Sequence, residues 1–264
     1  KSVFSKDGTT FLLSRTDKIN ERWRGKTFQQ LDEQHQRKIR SSTIHAIIFE
    51  QVKPENEDTS LFQVFERINT GGRTLLPQEI RNCVYQGPIN SLLFELNKNK
   101  AWRSLFGLPG EEERMRDLEM ILRGIALTFS DLSAINTQRI SLKKFLNDFM
   151  GHKANSAPER IEEFRTAFTG VQTAILMALD KRAYQNLDSK GGFIERFYPT
   201  VYDSLFNAFF TAHIRDHLPI PTDISDRHKA LLRDLKFQEC ASSRTTDLSN
   251  ILKRFSLANQ ILFQ

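Results

Sequence analysis

The sequence is poor in the residues that build covalent or metal-based staples. It has two cysteines, Cys83 and Cys240, set far apart and with no Cys-X-X-Cys pair. That excludes a cysteine-rich zinc site, and it makes a reducing cytoplasm the expected setting. Long apolar runs are lacking too. No stretch approaches the roughly 18 residues needed to cross a bilayer, and no signal peptide is visible, so no membrane partner is expected. No internal repeat or low-complexity tract interrupts the chain. Nor does one sign of charge dominate: 38 Lys and Arg stand against 32 Asp and Glu, a formal net charge of +6. That balance suits an anionic partner such as nucleic acid or a nucleotide, and ordinary solubility accounts for it equally well.

What is present reads as a soluble globular protein. The 264 residues allow one large domain or two small ones, and 39% hydrophobic with 27% charged residues argues against disorder. The first fifty residues mix strand and turn signals. Thr9 to Leu13 reads as a strand after Asp7-Gly8, Lys26 to Arg40 as a polar helix or helical turn, and Ser42 to Phe49 as a second, apolar strand. Pro54 to Asp58 forms an acidic turn. From residue 58 the spacing of apolar residues becomes helical. Helices are expected over 58–70, from Pro77, and near 88–98, 101–106, 112–130, 140–151, 158–180, 193–217, 224–239 and 246–263. Residues 120–129 are apolar nearly all round, the pattern of a helix in the middle of a bundle. The expected class is α+β, mainly α.

One segment is not bland helix: Phe65-Glu66-Arg67-Ile68-Asn69-Thr70-Gly71-Gly72-Arg73-Thr74-Leu75-Leu76-Pro77-Gln78-Glu79-Ile80-Arg81-Asn82. A helix delivers Arg67 and Asn69 to its C-terminal end. Two glycines permit a close backbone approach, and a new helix starts at Pro77. On that helix Gln78, Glu79, Asn82 and Gln86 fall within about 100°, with Arg81 about 60° to the side; Ile80, Cys83 and Val84 take the opposite, buried side. Guanidinium and amide groups beside a helix start fit an anion site. The same residues also fit a plain helix stop with a solvated polar face.

This run resembles the signature of the GmrSD-type restriction endonuclease N-terminal domain family, which has a ParB/sulfiredoxin-like core. Trp23 to Phe28 with Leu31, Arg114 to Glu119 with Leu122-Arg123, and Thr245-Thr246-Asp247 are similar to flanking parts of that family. The resemblance implies that residues 1–87 are the C-terminal portion of a ParB-like α/β core and 88–264 an α-helical body. It implies a bacterial, cytoplasmic protein of restriction-type antiviral defence. Its partners would be DNA and a nucleotide, with a separate nuclease subunit or a homo-oligomer as further possibilities. The cofactor would be a nucleoside triphosphate with magnesium, bound and hydrolysed in a reaction linked to recognition of foreign or modified DNA. Arg67, Asn69, Gly71, Gly72, Gln78, Glu79, Arg81 and Asn82 would form one wall of its site. Arg67 and Arg81 would neutralise phosphate. Asn69 and the glycines would position it. Gln78 and Asn82 would contact base or ribose, and Glu79 would hold magnesium through water or brace an arginine.

The family's hydrolytic chemistry is associated with an Asp-Gly-Gln-Gln-Arg loop. Asp7-Gly8-Thr9-Thr10 lacks the Gln-Gln-Arg, and Gln34-His35-Gln36-Arg37 lacks the Asp-Gly. The chain, which starts at Lys1, therefore reads as a member without its front, with no catalytic residue assigned; a nucleotide-switched binding module or a nuclease scaffold stands as the alternative. A second departure is Leu76, which cannot cap the Pro77 helix as Asn, Ser or Thr would. Thr74 or a bound anion is expected to take over that role.

Other candidates are weaker. His213 and His217 have the spacing of a two-His metal pair but no third ligand, so a solvated helix end is the simpler reading and no metal is expected. His45 lies in an apolar strand, as a core residue would. Glu119 and Arg123, four apart on the most apolar helix, read as an internal ion pair or as a guanidinium reaching a cleft. Phe193, Phe197, Val201, Leu205, Ala208, Phe209 and Ala212 keep helical spacing and read as a buried aromatic core.

Overall fold

Eight of the eleven described helices begin at a side-chain cap or a proline. The computed structural model describes residues 11–43, 63, 64, 67 and 74–264. Contacts divide the chain into two units, residues 1–50 and 51–264. Among the described residues 63% are helical, in 11 helices, with a small two-stranded antiparallel sheet. The protein is mainly α-helical.

In the first unit, residues 11–13 form no regular strand; Leu13 instead exchanges backbone hydrogen bonds with Lys26 O and the Gly25 N–H. A 3-10 turn (Phe28–Gln30) precedes α1 (Glu33–Ser41), whose start is capped by Asp32 on the His35 N–H at 2.9 Å. The expected strand over 42–49, His45 within it, the acidic turn at 54–58 and all but residues 63, 64 and 67 of the next expected helix lie outside the described residues. Those three positions are helical.

In the second unit, α2 (Pro77–Val84), α3 (Pro88–Leu96), α7 (Pro158–Leu179) and α8 (Pro199–Ala208) all open on proline, whose missing N–H removes nothing from a first turn. Asn99 caps α4 (Lys100–Phe106), and Ser141 caps α6 (Leu142–Gly151). Between them lies α5 (Arg116–Phe129), with eight buried residues from Asp117 to Leu127. It packs against α2, α3, α6 and α8, as its apolar circumference requires.

Two expected helices are divided. Asp234 adopts an extended conformation and caps the Phe237 N–H at 2.8 Å, so 224–239 becomes α9 (Ile224–Arg233) and α10 (Leu235–Ser242). The helix expected over 193–217 starts only at Pro199. Phe193–Ile194 is instead β2, paired antiparallel with β1 (Asn186–Leu187). After α8 the chain widens into a π-helical stretch, Phe209–Arg215. The final helix, α11 (Leu248–Phe263), packs on α8, α9 and α10. Its start is tied to that of α6 by Ile140 N–H to Thr246 O and Leu248 N–H to Gln138 O, both 2.9 Å.

The phenylalanines explain the core. Val201, Leu205, Ala208, Phe209 and Ala212 are buried, as helical spacing predicts. Trp102, wholly buried, is ringed by Phe106, Tyr202, Phe168 and Phe197 at centroid distances of 5.0–6.1 Å. Its indole N–H donates to Asn97, which in turn donates to the buried carboxylate of Asp117. Asp117 also accepts from Arg103 at 2.7 Å and from the Glu112 N–H. These donors offset the cost of burying the carboxylate.

Candidate functional site

The segment singled out by sequence enters the described structure at Arg67, an exposed helical residue, and again from Thr74. Asn69, Gly71 and Gly72 lie outside the described residues. The helix that follows them is clear, and its orientation differs from the expected one. Its buried residues are Gln78, Ile80 and Arg81, whereas Cys83 is exposed and Val84 only half-buried. Of the expected apolar face Ile80 is buried as predicted, but the polar Gln78 and Arg81 turn inward beside it.

The reason lies in what α5 and α6 present. Arg81, 1% exposed, donates through Nη1 to Glu119 Oε2 at 2.9 Å and to Gln78 Oε1 at 3.0 Å. Its Nε donates to Asn147 Oδ1 at 2.8 Å, and Nη2 reaches the Lys143 carbonyl at 3.4 Å. A buried guanidinium needs such partners, because one left without them is strongly destabilising. Burial pulls the Arg81 pKa below its ordinary value, and the Glu119 carboxylate opposes that shift.

Glu79 does two things. Its carboxylate accepts the Leu76 N–H at 2.6 Å, and it pairs with Arg114 through Nη2 at 3.0 Å and Nε at 3.2 Å. Glu79 thus supplies the reciprocal half of a capping box, satisfying the Leu76 N–H and not the first N–H groups of the helix itself. The Thr74 carbonyl instead receives the second bond of Arg114 Nη2, at 2.7 Å. Asn82 accepts from Asn90 Nδ2 at 3.0 Å, and its carbonyl from Gln86. Of the expected wall, then, Gln78, Glu79, Arg81 and Asn82 bond within the protein. Arg67 is the described cation that remains exposed. As placed, Gln78 and Arg81 do not fit direct contact with a phosphate or base, and Glu79 fits the bracing of an arginine better than the holding of a metal.

The charge network continues along α5. Glu119 and Arg123 do not form the simple pair their spacing suggests, because each has a partner from another helix. Arg123 makes a two-pronged contact with Asp203 of α8, at 2.5 and 2.9 Å. Burial alone would lower the Arg123 pKa; Asp203 outweighs it, and the net shift is upward. Asp203 also accepts from Arg254 of α11 at 3.2 Å. Arg254 is wholly buried, and its pKa is lowered by that burial against the pull of Asp203. Arg81, Arg123 and Arg254 thus share two carboxylates, Glu119 and Asp203. Sequence reasoning missed Asp203, Arg254 and Asn147. The available signal was a charge inside an apolar helical stripe: Asp203 between Val201 and Leu205, Arg254 between Ile251 and Phe255.

The remaining candidates fall into place locally. His213 Nδ1 lies 2.9 Å from the Leu218 carbonyl, at the end of the π-helical stretch. Among the described residues no group of three or more His, Cys, Asp or Glu is placed to hold a metal, and no helix is long and apolar enough to cross a membrane. Two segments that resemblance links only in sequence meet in space: Glu79 and Arg81 of α2 bond Arg114 and Glu119 at and before α5. Comparison with known proteins returned no matching family model, no matching curated protein and no matching solved structure.

Proposed function

We propose that this chain belongs to a nucleotide-linked DNA-defence protein of the restriction type, and that its own contribution is binding. On this reading residues 1–87 are the C-terminal portion of a ParB-like α/β core, followed by an α-helical body, in a cytoplasmic protein that acts on DNA. The nucleoside triphosphate would meet the segment around Arg67, Asn69, Gly71 and Gly72. Gln78, Glu79 and Arg81 act one step behind it, as struts. The single observation that supports this division is the double anchor of α2, Glu79 to Arg114 and Arg81 to Glu119. A helix fixed at two points gives the bend before it a rigid base, and rigid support lowers the entropic cost of ordering a binding segment. It also ties that segment to the helical body, so a ligand there can bias packing elsewhere.

Titration of the chain with magnesium and each of the four ribonucleoside triphosphates tests the reading. Saturable binding with Kd below about 1 mM, weakened at least about tenfold by Arg67→Ala, is the expected result. No saturable binding of any of the four would overturn it. Phosphate release is measured alongside: its absence, with binding intact, is the outcome expected of a switch.

A further inference from the structure

A cleft remote in sequence from the 67–82 segment has the make-up of a ligand site. It lies between the end of α4 with the following loop, Gly107 to Pro109, and the turn from β2 into α8, Glu195 to Phe197. Its volume is about 550 Å³, within the range typical of small-molecule sites. One wall is aromatic: Phe106 and Phe197 stand with ring centroids 5.0 Å apart, backed by Tyr184 at 5.5 Å from Phe197. Both phenylalanines are only partly buried, so ring surface remains available to a ligand.

The charged groups around that wall are unequal. Arg103, Lys181 and Arg196 line the cleft against one acid, Glu195. Arg103 is spoken for: it is fixed by Asp117, Asn97 and the Leu108 carbonyl, and its guanidinium lies 5.4 Å from the Phe106 ring centroid. Lys181 and Arg196 are exposed, and among the described residues neither forms an ion pair with a carboxylate. Arg196 is instead held over the Tyr198 ring, 5.5 Å from its centroid. Among the described residues, two buried polar atoms of residues at the cleft lack partners, Arg103 Nη2 and Gln185 Oε1.

We infer that this cleft binds a planar aromatic ligand carrying an anionic group, of the size of a nucleoside monophosphate. The ring stacks on Phe106 and Phe197, where any base has a π-face to offer. Lys181 and Arg196 neutralise the phosphate or carboxylate at the open side. The site shares no residue with the 67–82 segment, and the inference stands apart from the function proposed above.

Calorimetric titration with the four ribonucleoside 5′-monophosphates, and with adenosine and inorganic phosphate alone, tests it. At least one monophosphate is expected to bind with Kd below about 1 mM, and adenosine and phosphate at least about tenfold more weakly. Lys181→Glu with Arg196→Glu is expected to weaken that binding at least about tenfold. Both residues are exposed, so the fold is expected to persist, with circular dichroism as the check. Arg67→Ala is expected to leave it unchanged. No saturable binding up to about 5 mM, or binding untouched by the charge reversal, overturns the inference. Monophosphate binding lost in Arg67→Ala but retained in the charge-reversed variant overturns it as well, and leaves the 67–82 reading standing.

Discussion

Arg81 Nη1 and Glu119 Oε2 are 2.9 Å apart although 38 residues separate them, and the guanidinium is almost wholly buried while a third of the carboxylate side chain is exposed. The pair joins α2 to α5, the most apolar helix of the body. Its two halves are not equivalent. Glu119→Ala leaves a buried cation without its carboxylate, at about 2–3 kcal/mol, a figure reduced from the fully buried case because Glu119 is partly hydrated. The double variant Arg81→Met with Glu119→Leu is expected to recover at least half of that loss, because both charges are gone. Urea unfolding of the two variants and the parent measures it, and equal stability of the double and single variants would refute the account.

Asp203 answers two arginines, Arg123 and Arg254, and is itself fully buried. Asp203→Asn keeps the shape and removes the only full negative charge, among the described residues, that pairs with both. A loss of about 3–5 kcal/mol is expected, which for a chain of this size lowers Tm by about 6–15 °C. Replacing Arg254 with Met in the Asp203→Asn background is expected to restore part of the Tm. A drop below about 2 °C in the single variant would show that Asn satisfies both guanidinium groups.

Gly124 is glycine because of Tyr202. A Cβ built at position 124 falls 2.2 Å from the Tyr202 hydroxyl oxygen, closer than any real contact. That hydroxyl is buried and has no hydrogen-bond partner among the described residues. Gly124→Ala is therefore expected to destabilise by about 1–3 kcal/mol through overpacking. Tyr202→Phe is expected to change stability by less than about 1 kcal/mol, since no hydrogen bond is lost. In combination the phenylalanine removes the 2.2 Å contact but leaves ring carbon Cζ 2.8 Å away, so the double variant recovers only part of the loss of Gly124→Ala. Additive losses in this cycle would refute the contact.

His228 makes stability depend on pH. Its ring is buried, stacked on Phe193 at 6.1 Å, with Nε2 unpartnered. Burial pushes its pKa from 6.5 down to about 4; a backbone contact at Ala183 and the charge of Asp180 oppose the shift, and Lys229 adds to it. The folded pKa lies below the unfolded one, so the unfolded chain binds the proton first. The contribution is complete above pH 6.5, is lost as pH falls, and is gone below about pH 4. The full span is about 3 kcal/mol. The stability of His228→Gln is expected to fall less than that of the parent between pH 7 and pH 4.5. Parallel curves would refute the assignment.

Local chemistry made the helical body legible. Pro77, Pro88, Pro158 and Pro199 open helices, Asn99, Ser141 and Asp234 cap them, and apolar spacing sets the buried faces of α5 and α8. Those signals act within one turn of chain. The β2 hairpin went unseen because Phe193 and Phe197 fit helical spacing equally well; the choice rests on pairing with Asn186–Leu187 and on Pro199.

The orientation of α2 was not legible for a different reason. Its own composition places Ile80, Cys83 and Val84 inward; Ile80 is buried, and only partners supplied by distant segments make it favourable to bury Arg81 and Gln78 beside it while Cys83 stays exposed. Which residues can form helices, and where each helix begins, follows from short-range backbone and side-chain chemistry written along the chain. Which face of α2 is buried, and which acid answers which arginine among Arg81, Arg123 and Arg254, depends on groups brought together from α5, α6, α8 and α11. A buried charge is tolerated only where its counter-charge arrives in three dimensions, and no spacing rule along one helix encodes that arrival.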